Sequence, residues 1–436
     1  MSIKTLPSVP RQASLDNGFR IIHQTLQTKT NIASIQVFCD VGSVHESTSE
    51  VRGAAHFIEH MCFKGTKKLP TSRDVNLIFD NTGSDVNAYT DRRHTCYYVS
   101  THIDHTEKCI EVIADMLLNS IFDKHEYMKE REVVKEEAIK DEDDAELLAF
   151  TNADAIIYKG TPYANTVDEL KYHVGKHVLE YGAVLSMYKK YYTPNRMILS
   201  ICSSNKFEDV CKWSKKAFTL KTNIAYEPLD LGQIEPLNTK EPIIVKRNIS
   251  PIVLCIGFRT CSLHHPDKYP LKLLKAVLSG RMTSRMFTLL REDNGLTYSS
   301  YASCDFFEHM GDFKLFAECN PNKFIHNGAK AGVYPLLIKL IETLEVTTNE
   351  LNDAKQYIEG NYKMKCEDPD IIAKYNGKCV LMGIKPIVYA DKYATYYAPI
   401  TVEQVNACVK KYFNKDNMVV SIVGANPPSK KTVFNI

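Results

Sequence analysis

The pentapeptide His56-Phe57-Ile58-Glu59-His60 constrains the fold of this chain more than any other feature. Its two imidazoles are four residues apart, so in a helix they lie one turn apart on one face. In a strand the same spacing would separate them by about 13 Å. A helix therefore lets both rings hold one metal ion, with Glu59 close enough to reach a water on it. Two neutral nitrogen ligands, a third ligand from elsewhere and a carboxylate general base are what metal-assisted hydrolysis needs. The competing reading is a helix with two ordinary surface histidines. The flanking Ala54, Ala55, Phe57, Ile58, Met61 and Phe63 are apolar, which implies partial burial, where unpartnered polar groups are costly. That favours the metal.

At 436 residues the chain exceeds one typical core, and two domains of roughly 200 residues are expected. With 44% hydrophobic and 24% charged residues, its composition is that of a globular protein. A net charge of +2 gives no electrostatic reason to expect nucleic acid or a membrane surface as partner. No apolar run is long enough to span a bilayer. Met1 to Gly18 has neither the apolar core of a secretory signal nor an Arg-rich amphipathic pattern. The 13 cysteines are odd in number, scattered and mostly set in apolar stretches (Cys39, Cys202, Cys255, Cys379). Free thiols in a reducing, intracellular compartment are expected, the cytoplasm foremost.

Ile32 to Asp40 reads as a strong β-strand. Gly83 to Ser100 reads as two strands around Asp91-Arg92-Arg93, with Val86, Ala88 and Thr90 on one face. One of these strands is either an exposed edge able to pair with an extended peptide or part of an ordinary hairpin. Glu107 to Ser120 is an amphipathic helix, and Lys124 to Phe150 is expected to be one long acidic helix. The third ligand is sought there, because carboxylates complete His₂Glu zinc sites. Glu136 shares a wholly polar stripe with Lys129, Glu132, Lys140 and Asp143. Glu137 shares a mixed stripe with Glu130 and Val133 beside Val134, and is favoured as a buried ligand. Glu130, two turns earlier, is placed to orient a ligand from behind.

A helix from Val178 to Tyr191, a strand from Met197 to Cys202 and a helix from Phe207 to Ala217 follow. Residues 221–241 hold Pro228, Gly232 and Pro236 with no clear period and read as a linker. The expected division is a catalytic zinc-binding domain, 1–220, the linker, 221–241, and a second domain, 242–436. The second half repeats the order strand, loop, helix, strand, which suggests an internal repeat. Where the first half has its His-x-x-Glu-His helix, the second has Lys272-Leu273-Leu274-Lys275-Ala276, which carries no ligand. Helices are expected at Pro335–Thr343, Asn349–Glu367 and Val402–Phe413, with a strand at Met418–Val423.

The segment Gly53 to Thr66 resembles the active-site helix of the pitrilysin-type zinc peptidases, the inverzincins, whose metal motif is His-x-x-Glu-His. It is most similar to the shorter-chain branch that includes the catalytic subunit of the mitochondrial processing peptidase. Asn87-Ala-Tyr-Thr with Thr95, Tyr97 and Tyr98 resembles that family's substrate-side edge strand. Glu130 to Glu137 resembles its third-ligand helix. Ser284-Arg-Met-Phe, Leu290-Arg291 and Gly295-Leu-x-Tyr298 resemble the hallmark of its second domain. The likeness spans about residues 17 to 425.

The resemblance implies one zinc ion per chain, held by His56, His60 and Glu137, with Glu59 as base and Glu130 behind a ligand. It implies an Arg291/Tyr298 pair that reaches substrate from the second domain, and Asn87 and Ala88 on the strand that pairs with substrate backbone. It implies an α+β fold of two homologous domains, each a mainly antiparallel sheet packed by helices. It also implies a dimer, with itself or with a homologue. The activity expected is zinc-dependent endopeptidase action on extended peptides or unfolded segments. The rivals are a processing-peptidase-like subunit that needs a different partner and a noncatalytic scaffold on the same fold. The second-domain loop Ser279-Gly280-Arg281 departs from the family's Gly-rich version, and no long Gly-rich loop of the noncatalytic subunit is present. The missing targeting pattern argues against a simple organellar processing enzyme.

Overall fold

The computed structural model describes residues 9–26, 30–167, 179–221, 224–237 and 241–434. The chain forms two compact units. The first holds a six-stranded sheet: β1 (Arg11–Ser14), β2 (Arg20–Gln24), β3 (Ile32–Cys39), β4 (Asp85–Thr90), β5 (Thr95–His102) and β6 (Met197–Cys202). Their spatial order is β1-β2-β6-β3-β5-β4. Only the β2–β6 pair is parallel; every other neighbour is antiparallel. The second unit holds β7 (Ile243–Lys246), β8 (Ile252–Thr260), β9 (Thr297–Ser303), β10 (Gly311–Cys319) and, after a short ribbon of β11 (His326–Asn327) and β12 (Lys330–Ala331), β13 (Met418–Gly424). Its five-stranded order is β7-β13-β8-β10-β9, with β7–β13 its parallel pair.

Matched from β2 and β7 onward, the two sheets have the same topology and the same single parallel pair. The expected internal repeat is therefore a repeat of topology. Between β3 and β4 comes the α-helix Ala54–Met61; between β8 and β9 comes Lys268–Leu278, which contains Lys272 to Ala276. The α+β fold of two mainly antiparallel, helix-packed sheets is as the resemblance implied.

The units do not follow the expected cut at 220 and 242. The first is built from Met1–Ile139, Asn165–Asp230 and Tyr362–Lys392, the second from Lys140–Ala164, Leu231–Asn361 and Tyr393–Ile436. Each half of the sequence thus contributes one segment to the other unit. The single helix expected from Lys124 to Phe150 breaks into Lys124–Asp143 and Ala145–Ile157. Asp144 leaves helical geometry, and its carboxylate accepts the N–H groups of Glu146 (2.9 Å) and Leu147 (3.0 Å), an N-cap that starts a new helix. That second piece packs on β8 and β13. Gly257 in β8 makes room for it: a Cβ there would come within 2.7 Å of the Ile157 side chain.

The converse segment is the helix Pro369–Leu381, which the sequence reading missed. Asp368 caps it and Pro369 opens it. It lies across β3, β6 and β2. It takes hydrogen bonds from that face of the sheet: Gln36 Nε2 to Asp370 O (2.9 Å), Ser100 Oγ to the Asp370 carboxylate (2.9 Å) and Ser200 Oγ to Ala373 O (2.7 Å). Asn376 Nδ2 donates to Gln24 Oε1 at 2.8 Å. This explains the only partial alternation of β3. Ile35, Val37 and Cys39 face the main core, while Ser34, Gln36 and Phe38 face the helix and are buried too.

Smaller shifts are ordinary end effects. The helix expected from Val178 spans Tyr181–Tyr191, and Val178 lies outside the described residues. A π-helical turn spans Phe287–Glu292.

Candidate metal centre

The motif helix Ala54–Met61 is only two turns long, and isolated helices of that length are unstable in water. Tertiary contacts hold it. Ala54, Ala55, Phe57, Ile58 and Met61 are fully buried in the first unit's core. Gly53 precedes it at φ +80, where a Cβ would be strained. The buried Glu46 carboxylate accepts the N–H of Gly53 through one oxygen and that of Ala55 through the other, both at 2.9 Å. A carboxylate at a helix N-terminus both satisfies orphan N–H groups and complements the dipole. Glu46 was not singled out from sequence, because it lies seven residues ahead of Gly53, beyond the usual capping window.

On the opposite face His56 Nε2 and His60 Nε2 stand 3.2 Å apart, their rings nearly perpendicular. Glu137 Oε2 lies 3.6 Å from His56 Nε2 and 3.5 Å from His60 Nε2. These three side chains are the one His/Cys/Asp/Glu cluster of this kind among the described residues. Ligand atoms about 2.0–2.1 Å from a tetrahedral zinc stand roughly 3.3–3.4 Å apart, so the triangle has the size the ion requires. His60 Nδ1 is 2.8 Å from Glu130 Oε1. A carboxylate accepts only, so Nδ1 carries the proton and Nε2 turns its lone pair toward His56 and Glu137. Glu130 is in turn held by Lys64, whose Nζ lies 2.5 Å from its other oxygen. Those two bonds outweigh burial and keep the Glu130 carboxyl below the usual glutamate range.

The structure thus brings Glu137 to the imidazoles, but not for the reason expected. The buried stripe of the helix Lys124–Asp143 is Tyr127, Glu130, Val134 and Ala138. Val133 is exposed, and the Glu137 side chain is 46% exposed. Glu137 reaches the site from the rim of that stripe, and the buried carboxylate is Glu130.

Glu59 is 9% exposed. Burial raises its proton affinity, partly offset by Thr90 and the two imidazoles. Thr90 Oγ1 donates to Glu59 Oε2 at 2.5 Å. Thr90 ends β4, one of the two edge strands of the six-stranded sheet. β4 and β5 form an antiparallel hairpin in which β4 is the edge. Asn87 lies on it, exposed, its Oδ1 accepting the N–H of Ala88. Ala88 packs toward the core. In the second unit the Arg291 guanidinium sits 5.1 Å from the Tyr298 ring centre, and Tyr298 is 86% exposed. Those two side chains do meet each other.

Comparison with known proteins follows the same outline. The family described as Insulinase (Peptidase family M16) matches residues 23–169, and the Peptidase M16 inactive domain matches residues 179–358. The chain is 29% identical over 430 residues to the uncharacterized zinc protease YmxG of Bacillus subtilis, covering 96% of this chain and all of that one. It is 25% identical over 326 residues to the mitochondrial-processing peptidase subunit beta of Dictyostelium discoideum, covering 71% and 67%. In fold it matches the crystal structure of a protease from Helicobacter pylori with a TM-score of 0.87 at 20% identity, covering 96% and 100%.

Proposed function

The chain belongs to the M16, pitrilysin-type peptidase family, and from that premise we propose that it is a zinc-dependent endopeptidase acting on extended peptides or unfolded segments. The observation that carries this reading is the convergence of His56, His60 and Glu137 at zinc-ligand spacing beside Glu59. His56, His60 and Glu137 would hold a zinc ion, which when bound would supply Lewis acidity toward a water and the scissile carbonyl. Glu59 takes the proton from the attacking water and returns it to the leaving amine. Glu130 holds His60 in the tautomer that ligates, and the edge β4 at Asn87 and Ala88 seats the peptide backbone by strand addition. Arg291 and Tyr298 enter through the resemblance, as a pair that reaches substrate, with the Tyr298 hydroxyl donating to the developing oxyanion.

The edge strand supports an extended substrate, because only extended backbone can add to a sheet. A dimer, of this chain with itself or with a homologue, belongs to the proposal, as does residence in a reducing compartment, which all 13 cysteines being free supports. A second reading, a subunit that needs a different partner, draws on the likeness to a processing-peptidase subunit. Sizing and assaying the purified chain separates the two, since an active homodimer removes the second.

The decisive experiment is cleavage of a quenched fluorescent peptide library by wild type and Glu59→Gln, with zinc measured in both. Cleavage by wild type alone, with equal zinc, is expected. Wild type that binds zinc and cleaves nothing would sink the endopeptidase reading of the isolated chain. Absence of bound zinc would sink the metal site.

A further inference from the structure

We propose that Thr90 is a positioning residue that ties the peptide-pairing strand β4 to the Glu59 carboxylate, so that a peptide seated along β4 meets an aligned base. This rests on the peptidase reading above.

Three features of the geometry lead here. First, the Thr90 hydroxyl donates to Glu59 Oε2 at 2.5 Å, a carboxylate oxygen that accepts. The Thr95 hydroxyl is the longer contact, 3.3 Å away, and donates its own proton to Val41 O at 3.0 Å. Second, that bond commits one carboxylate oxygen and leaves the other for water. A glutamate carboxyl turns in a broad, two-fold torsional well, so without an anchor the accepting lone pair has no defined direction. Third, the hydroxyl is itself fixed by the strand. Threonine is stiff at χ1, and Thr90 pairs with Thr95 across a turn closed by Asp91 N–H to His94 O at 2.8 Å. Val86, Ala88 and Thr90 share the face turned to the core. A shift of β4 along its axis therefore moves the hydroxyl against Glu59.

Thr90→Val removes the hydroxyl at nearly constant shape, and Thr90→Ser keeps it. Zinc affinity is measured by competition with a chromogenic chelator, thermal unfolding by circular dichroism, and kcat and KM on an extended quenched peptide. The valine variant should keep wild-type zinc affinity, melting temperature and KM while kcat falls about 10- to 100-fold, the scale of a misplaced catalytic group. Serine should restore most of it. A valine variant with wild-type kcat overturns the proposal. So does a loss that tracks weaker zinc binding or a lower melting temperature, and so does a serine variant as poor as valine. Wild type that holds zinc but cleaves nothing removes the peptidase reading and this inference together; an active wild type with an equally active valine variant removes this inference alone.

Discussion

At the scale of single residues, the side chains proposed to hold zinc differ in how they are supported. His60 is fastened through Glu130 to Lys64, with bonds of 2.8 and 2.5 Å, whereas Glu137 stands half in solvent. Removing Glu130 should therefore weaken the proposed zinc site although Glu130 is not one of its three proposed ligands. Glu130→Ala frees the His60 ring to turn and is expected to weaken zinc binding about 10- to 100-fold. Chelator competition on the purified variant checks this, and unchanged affinity would show that the bond does not orient the ring. His56, Glu59 and His60 could be read from sequence because their spacing matters only in a helix. Thr90, Glu46 and Lys64 could not. Each acts through a contact whose sequence separation or residue type carries no pattern: a threonine in a strand, a glutamate in a loop, a lysine after a helix.

At the scale of elements, the reading failed where a local stop signal was outweighed by a periodic one. Asp144 ends one helix and starts the next, yet the acid-rich run around it hides the cap. The helix Pro369–Leu381 carries a plain start signal, Asp368-Pro369, and should have been found from it. Its seat on the sheet is tight. A Cβ on Gly377 would come within 2.1 Å of the Phe38 ring, a ring that is fully buried. Gly377→Ala is expected to destabilise the first unit by about 1–3 kcal/mol through overpacking. Phe38→Leu in the same chain should recover part of that loss. Urea unfolding of the single and double variants checks both, and a glycine replacement without effect would show that the helix can lift away freely.

At the scale of the whole molecule, two consequences follow from how the units are composed. Residues 362–392 cover a face of the first sheet that holds Gln36, Ser100 and Ser200, so a chain ended at residue 230 lacks part of that unit. It should fail to unfold cooperatively, and a peptide of residues 362–392 added in trans should restore the transition. A sharp transition without the peptide would contradict this. The second consequence is a pH dependence. Burial holds the imidazole of His23 down to about 4 and those of His45 and His94 down to about 3. Unfolded histidine titrates near 6.5. Between about pH 6.5 and 4 the unfolded chain therefore binds more protons than the folded one, and stability falls as pH falls. Each imidazole should remove about 2 kcal/mol at pH 5, as an upper bound. In the second unit Asp312 is raised to about 6, because burial, with Asp305 and Asp154 nearby, outweighs Lys314. Its folded form binds the extra proton, so its contribution rises as pH falls from 7 to 5. The sole tryptophan, Trp213, packs in the first unit. Denaturant midpoints followed by its fluorescence should drop from pH 7 to 5 by more than midpoints followed by circular dichroism; a flat fluorescence midpoint would refute the assignment.

What the sequence determined by itself is whatever depends on short-range periodicity: the helix that pairs His56 with His60, the strands around Asp91, the second unit's helix without ligands. What the tertiary structure decided is which distant groups complete these pieces. It set Glu137 at the rim of its helix, Glu46 at the motif's N-terminus and Thr90 against Glu59, and it exchanged one segment between the two halves of the chain. The physical reason is that helix and strand geometry act over a few residues. Packing and hydrogen-bond satisfaction act through space, so any buried polar face is closed by whichever segment can reach it and fit.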